Sequence, residues 1–349
     1  MNKKININGV NIGVNYPPYI IAEMSANHNG KIEKAFKIIE MAKRSGANAV
    51  KIQTYRPDTI TIKSDKKDFK INDGLWKGRT LYDLYDWAHT PWEWHERLFE
   101  FAKKIGITIF SSPFDKTAVD LLEELNVPAY KIASFEIVDL PLIKYVASKN
   151  KPIIISTGMA NKTEIQDAVN ICLESGLEKI ALLHCVSGYP APPSDYNLKT
   201  ISDMIKRFNL VTGISDHTLT NTTSIASISL GVSLIEKHFT LDRNNGGPDD
   251  SFSLEPNELN ELCESSYTAW SSLGKIDYNR KSSEKTNLKF RRSLYFVENI
   301  NKGEKITEKN VRSIRPGYGL SPKFYESIIG KTVNRDIEAG TPVKEKHIN

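Results

Sequence analysis

LVTGISDHTLTNTTSIASISLGVSLIEKHF (residues 210–239) contains two short apolar runs, LVTGIS (210–215) and SLIEKHF (233–239), joined by a stretch with helical periodicity. Two β-branched runs with a helix-like connection make one strand–helix–strand unit of a parallel sheet. Each run leads into a histidine, His217 in GISDHT (213–218) and His238 in IEKHF (235–239). Neutral imidazoles at the C-terminal ends of adjacent strands form a candidate divalent-metal site that lacks its remaining ligands.

Six runs of the same kind precede this unit: YIIAEMS (19–25), NAVKIQT (48–54), ITIFSS (107–112), AYKIAS (129–134), PIIIST (152–157) and KIALLHCVS (179–187). Helix-like segments separate them. IEKAFKIIEMAKRSG (32–46) closes on Gly46; TPWEWHERLFEFAKKIG (90–106) reads as a helix with Thr90 as N-cap and Pro91 in its first turn. Eight such units predict an α/β fold, a TIM (β/α)8 barrel. INING and VNIGV, within residues 1–17, read as a hairpin covering the barrel bottom. The insertion 55–89, with Trp76, Tyr82, Tyr85 and Trp87, belongs at the catalytic end, where loops after barrel strands emerge.

The chain has 349 residues, enough for one large core or a core with a satellite domain. Its net charge of +5 is small and its Lys and Arg residues are spread out, which gives nucleic-acid binding little support and suits anionic small substrates. No apolar stretch approaches about 20 residues, so a helical membrane span is excluded. MNKKININGVNIG has no apolar secretory core, and Cys172, Cys185 and Cys263 show no CxxC spacing; a reducing cytoplasm is expected.

Residues 274–289 are charged and poor in apolar side chains, a linker between a barrel domain (1–273) and a small domain (290–349). In that small domain INKGEKITEKNV (300–311) is echoed by IEAGTPVKEKHI (337–348) at constant offset, which predicts a compact pseudo-symmetric β-domain.

Strand parity sorts the barrel residues, because alternate side chains face opposite sides. If His217 and His238 point inward, Ser215 and Glu236 do so too. Glu23, Lys51, Gln53, Lys131 and Ser156 fall on one phase of their own strands, near the C-terminal ends. A buried polar group without a partner costs about 1–3 kcal/mol, so this gathering is explained by a charged ligand among them. Individually each residue has a plainer reading. Lys51 could pair with Glu23, Lys131 with Glu136; Ser111, Ser112, Ser134 and Ser156 could cap helices; His184 faces a helix; and His95 packs or meets solvent.

IAEMSANHNG (21–30), VKIQTY (50–55), SSPFD (111–115), YKIAS (130–134), STGM (156–159), LHCVSGYP (183–190), GISDHT, IEKHF and GPD (247–249) occur in order, followed by RRSLY (291–295) and RPGYGL (315–320). Over essentially its whole length the chain resembles the sialic acid synthase family of nonulosonate synthases. EMSANH, the insertion 74–95 and Ser187 are most similar to its pseudaminate branch. The resemblance implies a TIM barrel with a small C-terminal β-rich antifreeze-like (SAF) domain, in a homodimer whose swapped small domain brings Arg315 to the partner's site. It also implies a transferase that condenses phosphoenolpyruvate (PEP) with an amino sugar, using Mn²⁺ or Mg²⁺ on His217 and His238. PEP would meet Lys51, Gln53, Ser112, Lys131, Ser134, Ser156 and Ser215, and the sugar Ser187, Tyr189, Asp249 and Arg315. Glu23 and Glu236 compete for proton transfer. The alternatives are an N-acetylneuraminate or legionaminate synthase, a Schiff-base aldolase using Lys51 or Lys131, and a non-catalytic sugar-binding protein.

Overall fold

Strands buried on both faces require near-continuous apolar runs, and each of the eight runs forms one. In the computed structural model, which describes residues 3–349, β1 (Ile5–Ile7) and β2 (Val10–Ile12) first pair as an antiparallel hairpin. The first two residues of the predicted hairpin segment 1–17 lie outside the described residues. There follow β3 (Tyr19–Glu23), β4 (Ala49–Thr54), β5 (Thr108–Pro113), β6 (Tyr130–Ile132), β7 (Ile153–Ser156), β8 (Ile180–Cys185), β9 (Val211–Ser215) and β10 (Leu234–His238). All pair in parallel and close in the order β10-β3-β4-β5-β6-β7-β8-β9, a TIM barrel with helices between successive strands.

The lumen is layered. Its lower part is apolar: Tyr19, Ile21, Ala49, Phe110, Ala129, Ile154, Ala181, Leu183, Val211 and Leu234 form one buried cluster with Ile5, Ile7 and Ile12 of the hairpin. The hairpin therefore plugs the bottom, as its sequence suggests. Burying each Ile or Phe there stabilises by roughly 1.5–3 kcal/mol, which lets the next layer hold charge. Continuing the same phase upward gives Glu23, Lys51, Ser112, Lys131, Ser156, Ser215 and Glu236, all buried. The opposite phase of the strands packs on the helices, for example Val50 and Ile52 beside Ala35, Ile38 and Ile39 of the helix Ile32–Arg44.

The helix after the insertion begins later than its sequence suggests. Thr90 is not its N-cap: Trp92–Trp94 make a 3₁₀ turn and the α-helix runs His95–Ile105. Trp92 Nε1 donates to Tyr55 O at 3.1 Å and Trp94 packs edge-on against His28, so tertiary anchoring of the indoles overrides the cap signal. His95 is buried, bonding Thr54 Oγ1 at 2.8 Å, and His184 faces outward onto the Tyr196 carbonyl.

Residues 275–349 form a separate unit. Half of the predicted linker has structure, because Ser282–Phe290 coil into a 3₁₀ helix whose start is capped by Glu284 on the Lys281 N–H. Beyond it, β11 (Ser293–Phe296) pairs antiparallel with β12 (Val311–Ile314). The internal echo is structural. Ile300 bridges its counterpart Ile337, the equivalent pairs Ile306/Val343 and Val311/Ile348 pack in the same cluster, and Gly303 and Gly340 turn with the same φ of 84°. Among the described residues no helix is long and apolar enough to cross a membrane.

Candidate active site

The strand ends open into a cavity of about 320 Å³. Glu23, Lys51, Gln53, Lys131, Ser134, Ser156, Tyr189, Ser215, His217, Glu236, His238 and Asp249 all line it. Ser112 and Ser187 sit beside it rather than on its surface, and Arg315 lies exposed after β12 in the other unit.

Charge on the floor is organised around Glu236. Its Oε1 lies 2.9 Å from Lys51 Nζ, 3.5 Å from Lys131 Nζ and 3.3 Å from Ser215 Oγ. Lys131 thus pairs with Glu236 across the lumen, not with Glu136. Lys51 also reaches Glu23 Oε2 at 3.3 Å, and Gln53 Nε2 donates to Glu23 Oε1 at 2.9 Å. The environments push the two carboxylates apart. Burial would raise Glu236, but the Lys131 and Lys51 ammoniums outweigh it and hold the acid down at about 2. Burial dominates at Glu23 and lifts it to about 7 against the pull of Lys51. Lys51 is raised because its two carboxylates overcome burial, whereas burial prevails at Lys131 and lowers it to about 8 despite Glu236.

From β5 to β8 the rim carries hydroxyls. Ser112, Ser156 and Ser187 each bury an Oγ with no hydrogen-bond partner in the protein. Ser134 Oγ accepts the Gly158 N–H at 3.1 Å. A Cβ at Gly158 would come within 2.2 Å of Ser187 Oγ and 2.7 Å of Ser134 Oγ, so only glycine leaves these hydroxyls their space. Ser187, expected on the sugar side, thus lies next to Ser134, one of the serines expected to hold PEP. Unpartnered buried donors beside ammoniums are costly unless an anion completes them.

The opposite rim, β9 and β10, carries the imidazoles. Their ring centroids are 5.5 Å apart, a separation that two rings on one ion can have with metal–nitrogen bonds of about 2.1 Å. His217 Nδ1 is 2.8 Å from the Val186 carbonyl, to which it donates, so that Nε2 is the nitrogen free to become a ligand once deprotonated; burial would lower this ring's pKa, but Cys185 beside it outweighs burial and raises it. His238 Nδ1 is buried without a hydrogen-bond partner, and burial together with His217 holds its ring well below the usual histidine range, hence neutral. Asp249 Oδ2 lies 3.8 Å from that nitrogen and accepts Ser25 Oγ at 2.5 Å; burial raises Asp249 to about 6. The residues therefore suit a divalent ion. Among the described residues no group of three or more His, Cys, Asp or Glu could hold a metal ion, so an ion on this pair would take its other ligands from solvent or substrate.

The NeuB family pattern matches residues 38–278, and the SAF domain pattern residues 291–349. The chain belongs to the NeuB family. It is 44% identical over 329 residues to the pseudaminic acid synthase of Campylobacter jejuni subsp. jejuni, covering 94% of this chain and 95% of that one. It is likewise 44% identical to the pseudaminic acid synthase of Helicobacter pylori, covering 95% and 98%. Among solved structures, the N-acetylneuraminic acid synthetase of Leptospira borgpetersenii serovar Hardjo-bovis in complex with citrate superposes with a TM-score of 0.74 at 30% identity, over 83% of this chain and 97% of that one.

Residues that strand parity passes over also line or flank this cavity in the NeuB-family chain. Glu136 lines the cavity with an unpartnered Oε2, and burial raises it to about 7; it sits in the 3₁₀ turn after β6, where no period marks it. Behind the histidines, Lys237 Nζ bonds Asp216 Oδ2 at 3.0 Å, Thr218 O at 2.7 Å and Thr220 O at 3.0 Å, while Ser224 Oγ donates to Asp216 at 2.5 Å. A fully buried ammonium thus clasps the loop that carries His217. The signal was legible: charges on the outward phase, Asp216 and Lys237, flank both histidines. Lys237→Met is expected to weaken Mn²⁺ affinity about 10- to 100-fold, as loss of ligand-supporting contacts does. Mn²⁺ titration by electron paramagnetic resonance would read it; unchanged affinity in a folded variant would refute the clasp's positioning role.

Proposed function

We propose that the chain condenses PEP with the open-chain aldehyde of 2,4-diacetamido-2,4,6-trideoxy-L-altrose and water, releasing phosphate and forming pseudaminic acid. The observation that carries this reading is one cavity with buried ammoniums and the partnerless Ser156 hydroxyl on one side and two imidazoles on the other. Phosphate and carboxylate need the first; an aldehyde that must become an electrophile needs the second. The kinship with proteins named pseudaminic acid synthases favours this sugar over the neuraminate and legionaminate precursors.

In the reaction, C3 of PEP forms the new bond to the aldehyde carbon, whose oxygen takes a proton and becomes a hydroxyl. Water adds at C2 and gives up both protons, one to the new hydroxyl and one to the phosphate, which leaves with the C2–O bonding pair as C2 becomes a ketone. A divalent ion on His217 and His238, Mn²⁺ or Mg²⁺, would supply a Lewis acid for the carbonyl. Lys51 and Lys131 neutralise the PEP anions, with Ser134, Ser156, Ser112 and Ser187 as directed donors. Glu236, fixed as a carboxylate between the ammoniums, keeps them charged and in place. Glu23 exchanges protons with the reacting oxygens. Asp249 and Tyr189 face the sugar.

We further propose a cytoplasmic homodimer in which Arg315 of the small unit serves the partner's site. The lowered Lys131 is the observation that favours the Schiff-base aldolase instead. Borohydride trapping with pyruvate would then label Lys131, and no adduct is expected. The deciding experiment offers PEP with each of the three amino sugars and measures phosphate. Release is expected to be fastest with 2,4-diacetamido-2,4,6-trideoxy-L-altrose; another sugar ahead would overturn the substrate, and no release would overturn the reaction.

A further inference from the structure

The turn that follows β3 carries a serine in a conformation that suits glycine. Ser25 is buried and has a φ of 45°. In that left-handed region a β-carbon crowds the following carbonyl oxygen, whereas glycine has none to crowd it. Such strain persists only where the surrounding structure holds it in place, and it gathers at functional sites.

Three alternate residues of the turn reach across to the loop after β10. Asn29 Nδ2 donates to Asp250 Oδ2 at 3.2 Å, and Asn27 Nδ2 donates to Ser253 Oγ at 2.8 Å and to the Phe239 carbonyl at 2.9 Å. Ser253 Oγ in turn donates to the Asp249 carbonyl at 2.6 Å, and Asp250 Oδ2 accepts the Gly247 N–H at 2.8 Å. These contacts fasten the loop without Ser25. The Ser25 hydroxyl instead donates to the Asp249 side chain, at Oδ2, over 2.5 Å and accepts from Gln53 Nε2 at 3.0 Å. The same Gln53 nitrogen donates to Glu23 Oε1 at 2.9 Å. Directions along this row are settled: the amide gives both hydrogens, so the hydroxyl gives its own to the carboxylate. All four side chains line the cavity.

We propose that Ser25 is a positioning residue for the sugar: by tying the Asp249 carboxylate to Gln53 and Glu23, it fixes where the sugar sits relative to the floor. This rests on the synthase reading above, in which Asp249 faces the sugar and Glu23 exchanges protons. Misplacing a substrate by about an ångström can cost on the order of 10²-fold. Loss of the tie is therefore expected to lower kcat/KM for the sugar about 10- to 100-fold. KM for PEP is expected to stay unchanged, because the row does not include Lys131, Ser134 or Ser156.

Two variants separate the hydroxyl from the backbone. Ser25→Gly removes the hydroxyl and relieves the crowding; Ser25→Ala removes the hydroxyl and keeps the crowding. At saturating PEP and Mn²⁺, both are expected to show the same loss of kcat/KM for the sugar that the parent turns over fastest, while the glycine variant melts at the higher temperature. Calorimetry with that sugar reduced to its unreactive alcohol reads the seat without turnover, and its affinity should fall in both variants. A glycine variant with the parent's kcat/KM and affinity overturns the positioning role, as does activity that follows melting temperature across the two variants. A parent that binds the alcohol more tightly than either variant yet releases no phosphate overturns the reaction and leaves the positioning role standing. A parent that neither binds the alcohol nor releases phosphate overturns both.

Discussion

Replacing His217 by alanine is expected to remove divalent-metal binding and to lower turnover by at least about 10³-fold, with the barrel still folded. The size follows from the chemistry: Lewis-acid polarisation of a carbonyl is worth several kcal/mol, and each 1.4 kcal/mol is about a factor of ten. The survival of the fold follows from position. His217 sits just past β9, above the apolar layer that Tyr19, Phe110, Leu183 and the hairpin isoleucines fill. Its loss removes the bond to the Val186 carbonyl and the contact with Tyr189, whose ring centroid is 4.5 Å away, and leaves the strand pairing intact. The Lys237–Asp216 clasp still holds the loop from behind. His238→Ala should behave alike, since two imidazoles on an open site leave too few protein ligands when either goes. Mn²⁺ titration by electron paramagnetic resonance reads the binding and phosphate release reads the rate. Undiminished activity of the parent protein in excess chelator, or tight Mn²⁺ binding by the alanine variant, would count decisively against the pair as ligands.

What the sequence revealed and what it hid divide along the period of the strand. Runs of β-branched residues with one polar residue on a fixed phase, such as VKIQ and YKIAS, announced both the strands and their inward side chains. Closure of a parallel barrel then forced those side chains together, so Lys51 and Lys131 meet Glu236 although 185 and 105 positions separate them along the chain. Parity stops at the last strand residue. Ser187 lies two residues beyond β8, and its turn toward Gly158 depends on loop path rather than period. Glu136, also beyond a strand end, entered the sequence reading as a possible partner of Lys131 and not as a residue lining the cavity. Thr90 failed differently, because a local capping signal competed with two indoles whose anchors, Tyr55 and His28, are distant in sequence. The outward residues Asp216 and Lys237 show a further gap: the side of a strand that packs on helices is assumed apolar, so a satisfied buried ion pair there reads as a surface pair until coordinates place it.

The remaining large effect concerns which glutamate moves protons. Glu23→Gln is expected to lower kcat by about 10² to 10⁴-fold, the span usual for a lost acid–base group, while KM for PEP and Mn²⁺ affinity change little. Glutamine keeps the size and can still accept from Gln53, so geometry is spared and only the exchangeable proton is lost. Glu236 cannot take that role. With Lys51, Lys131 and Ser215 all on Oε1, its charge is the counterweight that keeps two ammoniums inside a low-dielectric lumen. Protonating it would leave Lys131 buried without its counter-charge and Lys51 with Glu23 alone, a state costing on the order of 3–5 kcal/mol. Glu236→Gln should therefore act on KM for PEP, as Lys131 gives up its proton and its attraction for the anion. Glu23 touches one ammonium at a longer reach, and its Oε2 has no hydrogen-bond partner in the protein, so a proton can arrive and leave without dismantling the floor. Steady-state kinetics on the two variants separates the assignments. A Glu23→Gln enzyme whose kcat stays within about threefold of the parent, beside a Glu236→Gln enzyme crippled in kcat alone, would exchange the roles given to the two acids, since general-base losses are larger than that.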